Sequence, residues 1–286
     1  MNEIQKRRDF FDGLGQNYAK NISVEVEPVL INGVSCYWFM PENEAAKKII
    51  VHLHGGVFVV GSIKSHESMI SHFCAQLQTR ILFVEYALAP EHPYPHGLND
   101  VLDVYERLLS DFPEYEIVFM GDSAGAALTV SAIGKMQDQN IQLPQGVVMI
   151  SPWIYLSGEN PSMEENRAID PILSREYLSA NAKLYTGDTP LETSSPEYIN
   201  LNQFPPVLIM VGTNEVLLDD SKNFYLSVKD KQTNSKLSIY ENQAHVWPLA
   251  NVHSEASQKA LKEIEAFLKT LYYHTATSDL DIENQK

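Results

Sequence analysis

The pentapeptide Gly121-Asp122-Ser123-Ala124-Gly125 carries the most chemistry in this chain. It follows the apolar run EIVFM at 116–120 and opens into AALTVSAIGKM at 126–136, a stretch of small and apolar residues. A strand, a sharp turn and then a helix form the setting in which the serine of G-x-S-x-G acts as a nucleophile. The turn strains the serine backbone so that its hydroxyl stands above the sheet, and glycines two positions to either side leave room for it. A helix N-terminus there adds N–H groups that favour a developing oxyanion. A simple helix N-cap is the plainer role for Ser123. The complete pentapeptide in this setting favours the nucleophile.

A second candidate segment is KIIVHLH at 48–54, which ends in His54-Gly55-Gly56-Val57. A glycine pair at the carboxyl end of a strand exposes backbone N–H groups to the crest of the sheet. The N–H groups of Gly55, Gly56 and Ala124 are therefore the expected oxyanion donors. A tight turn needed only for steric reasons is the competing explanation of the glycines. His52 and His54 raise the question of a metal. They are read as pointing to opposite faces of the strand, and no HExxH or third ligand follows. No metal and no cofactor is expected.

A serine hydroxyl is a poor nucleophile at neutral pH, so a histidine must accept its proton and a carboxylate must orient that histidine. At such an elbow the chain order is nucleophile, acid, histidine. His245 lies in a loop four residues beyond KLSIY, before the final helix, whereas His253 falls near that helix's start and reads as surface. His245 is the expected base, against the plainer reading of a solvated or core histidine. The acid should leave the run VLIMVG, which continues Thr213-Asn214-Glu215-Val216-Leu217-Leu218-Asp219-Asp220. Glu215 sits in the loop and is preferred. Asp219 is the alternative, since acidic residues in a first helical turn often serve only the helix dipole.

These groups need a scaffold. VEVEPVLI and VSCYWFM alternate around Asn32-Gly33, a hairpin signal. Short, nearly continuous apolar runs follow at 48–54, 80–86, 116–121, 146–151, 207–212 and 236–242, as in parallel strands buried on both faces. Helices are expected near 66–78, 97–109, 124–138, 217–230 and 254–272, with a polar one at about 3–18. This alternation predicts an α/β fold with a mostly parallel eight-stranded sheet flanked by helices. Residues 155–200 break the rhythm and read as an insertion with a helix near 174–186. The segment 275–286 reads as a disordered tail on a single domain spanning 1–274.

Bulk properties exclude several classes. A net charge of −16 repels phosphate backbones and anionic membranes, so no nucleic acid partner is expected. No run approaches the roughly 20 apolar residues of a spanning helix, so no membrane insertion is expected. Cys36 and Cys74 lack a CxxC spacing and read as reduced thiols, which suits a cytoplasmic location. A homodimer is left open.

With these motifs in hand, the chain resembles the hormone-sensitive-lipase-like family of α/β-hydrolases, a group of carboxylesterases, from about residue 48 to 250. Tyr86-Ala87-Leu88-Ala89-Pro90-Glu91-His92-Pro93 is similar to that family's Y-R-L-A-P-E-H-P, and SPW (151–153), DPILS (170–174) and SPEY (195–198) fall where its counterparts fall. The resemblance implies the α/β-hydrolase fold. It matches His54, Gly55 and Gly56 to the start of HGGG, Ser123 to the nucleophile and His245 to the triad histidine. Glu215-Val216-Leu217 matches D-P-L or D-V-L, with glutamate replacing the usual aspartate, which keeps Asp219 in contention. Val57 replaces the last glycine of HGGG and implies an altered pocket, and Ala87 replaces an arginine, implying one missing ion pair. A helical cap from about 1–24 and 155–200 is implied. The implied activity is hydrolysis of small or short-chain acyl esters through an acyl-enzyme. A silent binding protein on the same fold and a deacetylase of amides or sugars are the alternatives.

Overall fold

A computed structural model describes residues 3–44 and 47–283, with side chains described to Leu271. The chain opens with α1 (Glu3–Asp12) and a 3-10 turn at Gly13–Gln16. Then β1 (Val24–Ile31) and β2 (Val34–Pro41) form an antiparallel hairpin paired from Val24↔Pro41 to Ile31↔Val34. At its tip Asn32 and Gly33 take φ of 48° and 89°, the positive values a two-residue turn requires.

From there strands and helices alternate as β3 (Lys48–Leu53), α2 (Ile63–Leu77), β4 (Arg80–Val84), α3 (His96–Asp111), β5 (Glu116–Asp122), α4 (Ala124–Gln139) and β6 (Gly146–Ile150). The insertion after β6 carries α5 (Ser162–Glu165), α6 (Arg175–Thr186), α7 (Leu191–Ser194) and a 3-10 turn at Pro196–Tyr198. The last part runs β7 (Val207–Gly212), α8 (Leu218–Val228), β8 (Lys236–Tyr240), α9 (Trp247–Ala250) and α10 (Glu255–Glu283). The segment expected as a tail continues α10 as far as Glu283, because no glycine or proline interrupts 255–283. Residues 284–286 lie outside the described residues.

The eight strands among the described residues form one sheet in the order β1-β2-β4-β3-β5-β6-β7-β8, with only β2 running against its neighbours. The order reverses at β3, whose neighbours are β4 and β5. Ligands in such sheets sit at the carboxyl ends of the strands flanking the reversal. Leu53 pairs with Gly121 there, so the ends of β3 and β5 lie level. The glycine loop and the serine elbow leave the sheet side by side.

The central strands are buried on both faces and divide the core in two. Ile49, Val51 and Leu53 pack with α3, α4 and α8 on one face, while Ile50 packs with α2 and α10 on the other. Close approach at the elbow explains its glycines. A Cβ on Gly125 would lie 1.9 Å from the Leu53 carbonyl oxygen, and one on Gly121 would lie 2.7 Å from the Ala126 nitrogen. No helix among the described residues is long and apolar enough to cross a membrane. Cys36 and Cys74 are free and buried, and burial pushes both thiols up to about 12.

Candidate active site

Ser123 directly follows β5 and caps α4 with φ 52° and ψ −117°, a conformation that non-glycine residues rarely hold. Its N–H donates to the Ile150 carbonyl at 3.0 Å, and its own carbonyl accepts from Ala126 and Trp153 N–H groups at 3.2 Å. The neighbouring strand and helix therefore hold the strained residue in place. Its Oγ lies 2.9 Å from His245 Nε2, and His245 Nδ1 lies 2.9 Å from Glu215 Oε2. A carboxylate at Nδ1 selects the tautomer that carries its proton there, which leaves Nε2 to accept from the serine hydroxyl.

Glu215 is wholly buried, and its second oxygen is also satisfied. Oε1 accepts from the Ser151 hydroxyl at 2.7 Å and from the Gly212 N–H at 2.6 Å. Ser151 in turn accepts from the Val246 N–H at 3.0 Å, which ties the residue after the histidine to the acid. Asp219, the alternative acid, faces elsewhere. Its carboxylate accepts from Ser162 N–H at 2.9 Å and pairs with Lys222 at 3.1 Å, so it anchors the insertion as a first-turn acidic residue does. Asp220 anchors the same insertion, accepting from the N–H groups of Ile154 and Tyr155 and from Asn160.

The glycine loop departs from expectation. The Gly55 N–H donates to Asp122 Oδ2 at 3.0 Å, so it is spent inside the protein and is not free for an oxyanion. Among the described residues nothing accepts from the N–H groups of Gly56 or Val57, and both residues line the cavity that contains Ser123. The candidate donors are therefore Gly56, Val57 and, at the first residue of α4, Ala124. Val57 and Phe58 hold φ of 51° and 64° in succession, where a β-branched residue is an outlier. Val59 and Val60 N–H groups donate to the Gly56 carbonyl, and Phe58 stacks on Tyr185 at 3.8 Å, which pins this turn.

His54 braces the loop from behind. Its ring stacks on Tyr86 at 4.4 Å, and its Nδ1 lies 2.6 Å from the Gly55 carbonyl. Burial pushes its pKa down to about 3, so the ring is neutral. His52 and His54 do not point to opposite faces. Both stack on Phe83, at 5.6 and 5.4 Å, because positions two apart on a strand share a face. A third histidine, His66 of α2, meets them on that face. Burial pushes the Asp122 carboxyl up, but His66 and His52 beside it more than offset this and hold it well below the usual carboxylate range.

A cavity of about 750 Å³ opens over Ser123 and His245. Phe11 and Leu14 line it from the N-terminal segment, and Ile172, Leu173 and Tyr177 line it from the insertion. These two segments touch directly, since Arg7 donates to Asn181 Oδ1 at 2.6 Å and lies over the Tyr177 ring. Arg8 fixes α1 to the core side by pairing with Glu91 and donating to the carbonyls of Val59 and Ala89. Sequence reasoning gave no role to Ser151, to the Val57 N–H or to His66. Ser151 opened the SPW segment directly after a buried strand, whereas nothing local pointed to the other two.

Residues 50–249 match a protein family described as having an alpha/beta hydrolase fold. An esterase of Acinetobacter venetianus is 31% identical over 268 residues, covering 92% of this chain and 88% of the relative. An acetyl-hydrolase of Streptomyces hygroscopicus is 30% identical, covering 94% and 90%. A crystal structure of an esterase from the bacterial hormone-sensitive lipase family superposes with a TM-score of 0.90 at 28% identity, covering 95% of this chain and 92% of that one.

Proposed function

The chain belongs to the α/β-hydrolase fold family, as a carboxylic ester hydrolase of the hormone-sensitive-lipase-like group, and from that premise we propose a serine esterase mechanism on small acyl esters. Ser123 Oγ attacks the ester carbonyl while His245 Nε2 takes its proton, with Glu215 stabilising the imidazolium that forms. The N–H groups of Gly56, Val57 and Ala124 receive the oxyanion. Collapse of the tetrahedral intermediate returns the proton to the alcohol and leaves an acyl-serine. Water, activated by the same histidine, then releases the acid. The observation that carries this reading is the line Ser123 Oγ to His245 Nε2 to Glu215, 2.9 Å at each step.

The cavity supports a small substrate. Its volume of about 750 Å³ lies within the usual range for small-molecule sites, and the N-terminal segment and insertion act as a cap that limits acyl length. Acetyl esters are a second reading, favoured by the acetyl-hydrolase relative. No observation favours a silent binding protein.

Initial rates on p-nitrophenyl esters from acetate to decanoate test the reading. Ser123→Ala and His245→Ala should each lower kcat by about 10⁶-fold. Undiminished turnover in the serine variant would end it, and a profile rising steadily to decanoate would overturn the small-substrate assignment.

A further inference from the structure

Behind the elbow, on the face away from α4, lie three buried side chains that the proposed mechanism does not use for proton transfer: His52 of β3, His66 of α2 and Asp122 of β5. One ligand atom from each falls within 4.8 Å of the others. Their hydrogen bonding does not close. Ser65 Oγ donates to the Ser62 carbonyl at 2.8 Å and accepts from the Ser62 N–H at 3.0 Å. Against His66 Nδ1, at 2.8 Å, it can therefore only accept. His66 Nδ1 is thus the donor to Ser65, and Nε2 is the nitrogen turned to the carboxylate. It faces Asp122 Oδ2 only at 3.4 Å, and that oxygen already takes the Gly55 N–H.

The His52 side makes the same point. His52 Nε2 lies 3.2 Å from Asp122 Oδ1, yet the two are not aligned as a hydrogen bond. Both ring nitrogens of His52 and Oδ1 of Asp122 are left without a partner in a fully buried place, which is costly unless something else satisfies them. A charge-assisted N–H···O bond would draw in to about 2.7–2.9 Å. The two Nε2 atoms instead approach the two oxygens of one carboxylate, at 3.2 and 3.4 Å.

We propose that His52 Nε2, His66 Nε2 and the Asp122 carboxylate form a binding site for a divalent transition-metal ion of the zinc class. Two imidazoles and a carboxylate are ligands that suit zinc. Ser65 supplies the outer contact that fixes the ring and tautomer of a ligating histidine. Both imidazoles are wholly buried, which makes the ion a structural one that neutralises the carboxylate anchoring Gly55. The site stands apart from the esterase reading, since none of its three residues attacks, protonates or orients the substrate.

The test uses the full chain, stripped with a chelator and titrated with Co²⁺ and then Zn²⁺. We expect one ion per chain, a visible Co²⁺ band that Zn²⁺ abolishes, and a Tm that rises with Zn²⁺ concentration. His52→Phe and His66→Phe, checked for fold by circular dichroism, should weaken Zn²⁺ binding at least tenfold. The double variant H92N/H96N, which removes an exposed histidine pair, should bind as the wild type does. Absence of the Co²⁺ band and of any Tm rise in the wild type would overturn the site, leaving protons alone in the cluster. Binding retained in both phenylalanine variants, or lost in H92N/H96N, would overturn it equally by placing the ion on the surface.

Discussion

Two carboxylate and histidine groups flank the same serine, and they are built differently. In front, Glu215 and His245 form a line of 2.9 Å hydrogen bonds in which each acceptor and donor has its partner, and the histidine keeps 9% of its side chain exposed to the cavity. Behind, Asp122 lies 3.2 and 3.4 Å from two rings that are 0% exposed, with polar atoms left over. A group that must pass a proton to substrate needs short bonds and an open side. A group that only holds a loop, or an ion, can be sealed. The contrast lies in geometry and access, since the residue types are nearly the same.

Predictions follow from trying to erase that contrast. The largest effect is expected at Glu215. Glu215→Gln keeps the shape but removes the acceptor that selects the His245 tautomer, so kcat should fall by about 10⁴-fold. Asp219→Asn should stay within about twofold, because its partners are Ser162 and Lys222. Steady-state kinetics on p-nitrophenyl acetate compare the two, and a collapse in the Asp219 variant would reverse the assignment of the acid. A smaller loss is expected from Ser151→Ala. Glu215 Oε1 and the Val246 N–H would each lose a buried partner worth about 1–2 kcal/mol, or roughly tenfold in kcat. Little change in KM should accompany it.

The smallest effect sharpens the comparison with a third buried carboxylate that has no histidine beside it. Burial pushes Asp220 up to about 7, although Tyr155 and Ile154 N–H groups and Asn160 pull the other way. Its folded pKa is thus above its unfolded value. The folded state holds the extra proton, so stability from this group is present below about pH 4 and is lost as pH rises toward 7. The Tm of the wild type minus that of Asp220→Asn should therefore shrink from pH 4 to pH 7. A difference that grows over that range would show the amides outweighing burial.

Much of the scaffold was readable in the chain. Six apolar runs from 48 to 242 stand as strands, and the expected helices at 97–109 and 124–138 stand at His96–Asp111 and Ala124–Gln139. Apolar periodicity is a short-range property, so neighbours along the chain suffice to show it. The Gly55 N–H was misassigned because a backbone amide's direction depends on what lies opposite it, here Asp122 from another strand. The shared face of His52 and His54 was within reach of the strand's period of two. The arrival of His66 from a helix was not.

By itself, then, the sequence determined the alternation of strands and helices, the elbow at Ser123 and the chain order of its partners, all of which depend on residues close together in the chain. Tertiary structure alone brought Glu215 rather than Asp219 to His245, and set which amides face the cavity and which histidines meet Asp122. Those outcomes turn on distances of about 3 Å between segments far apart in sequence, where a shift of 1 Å makes or breaks a hydrogen bond.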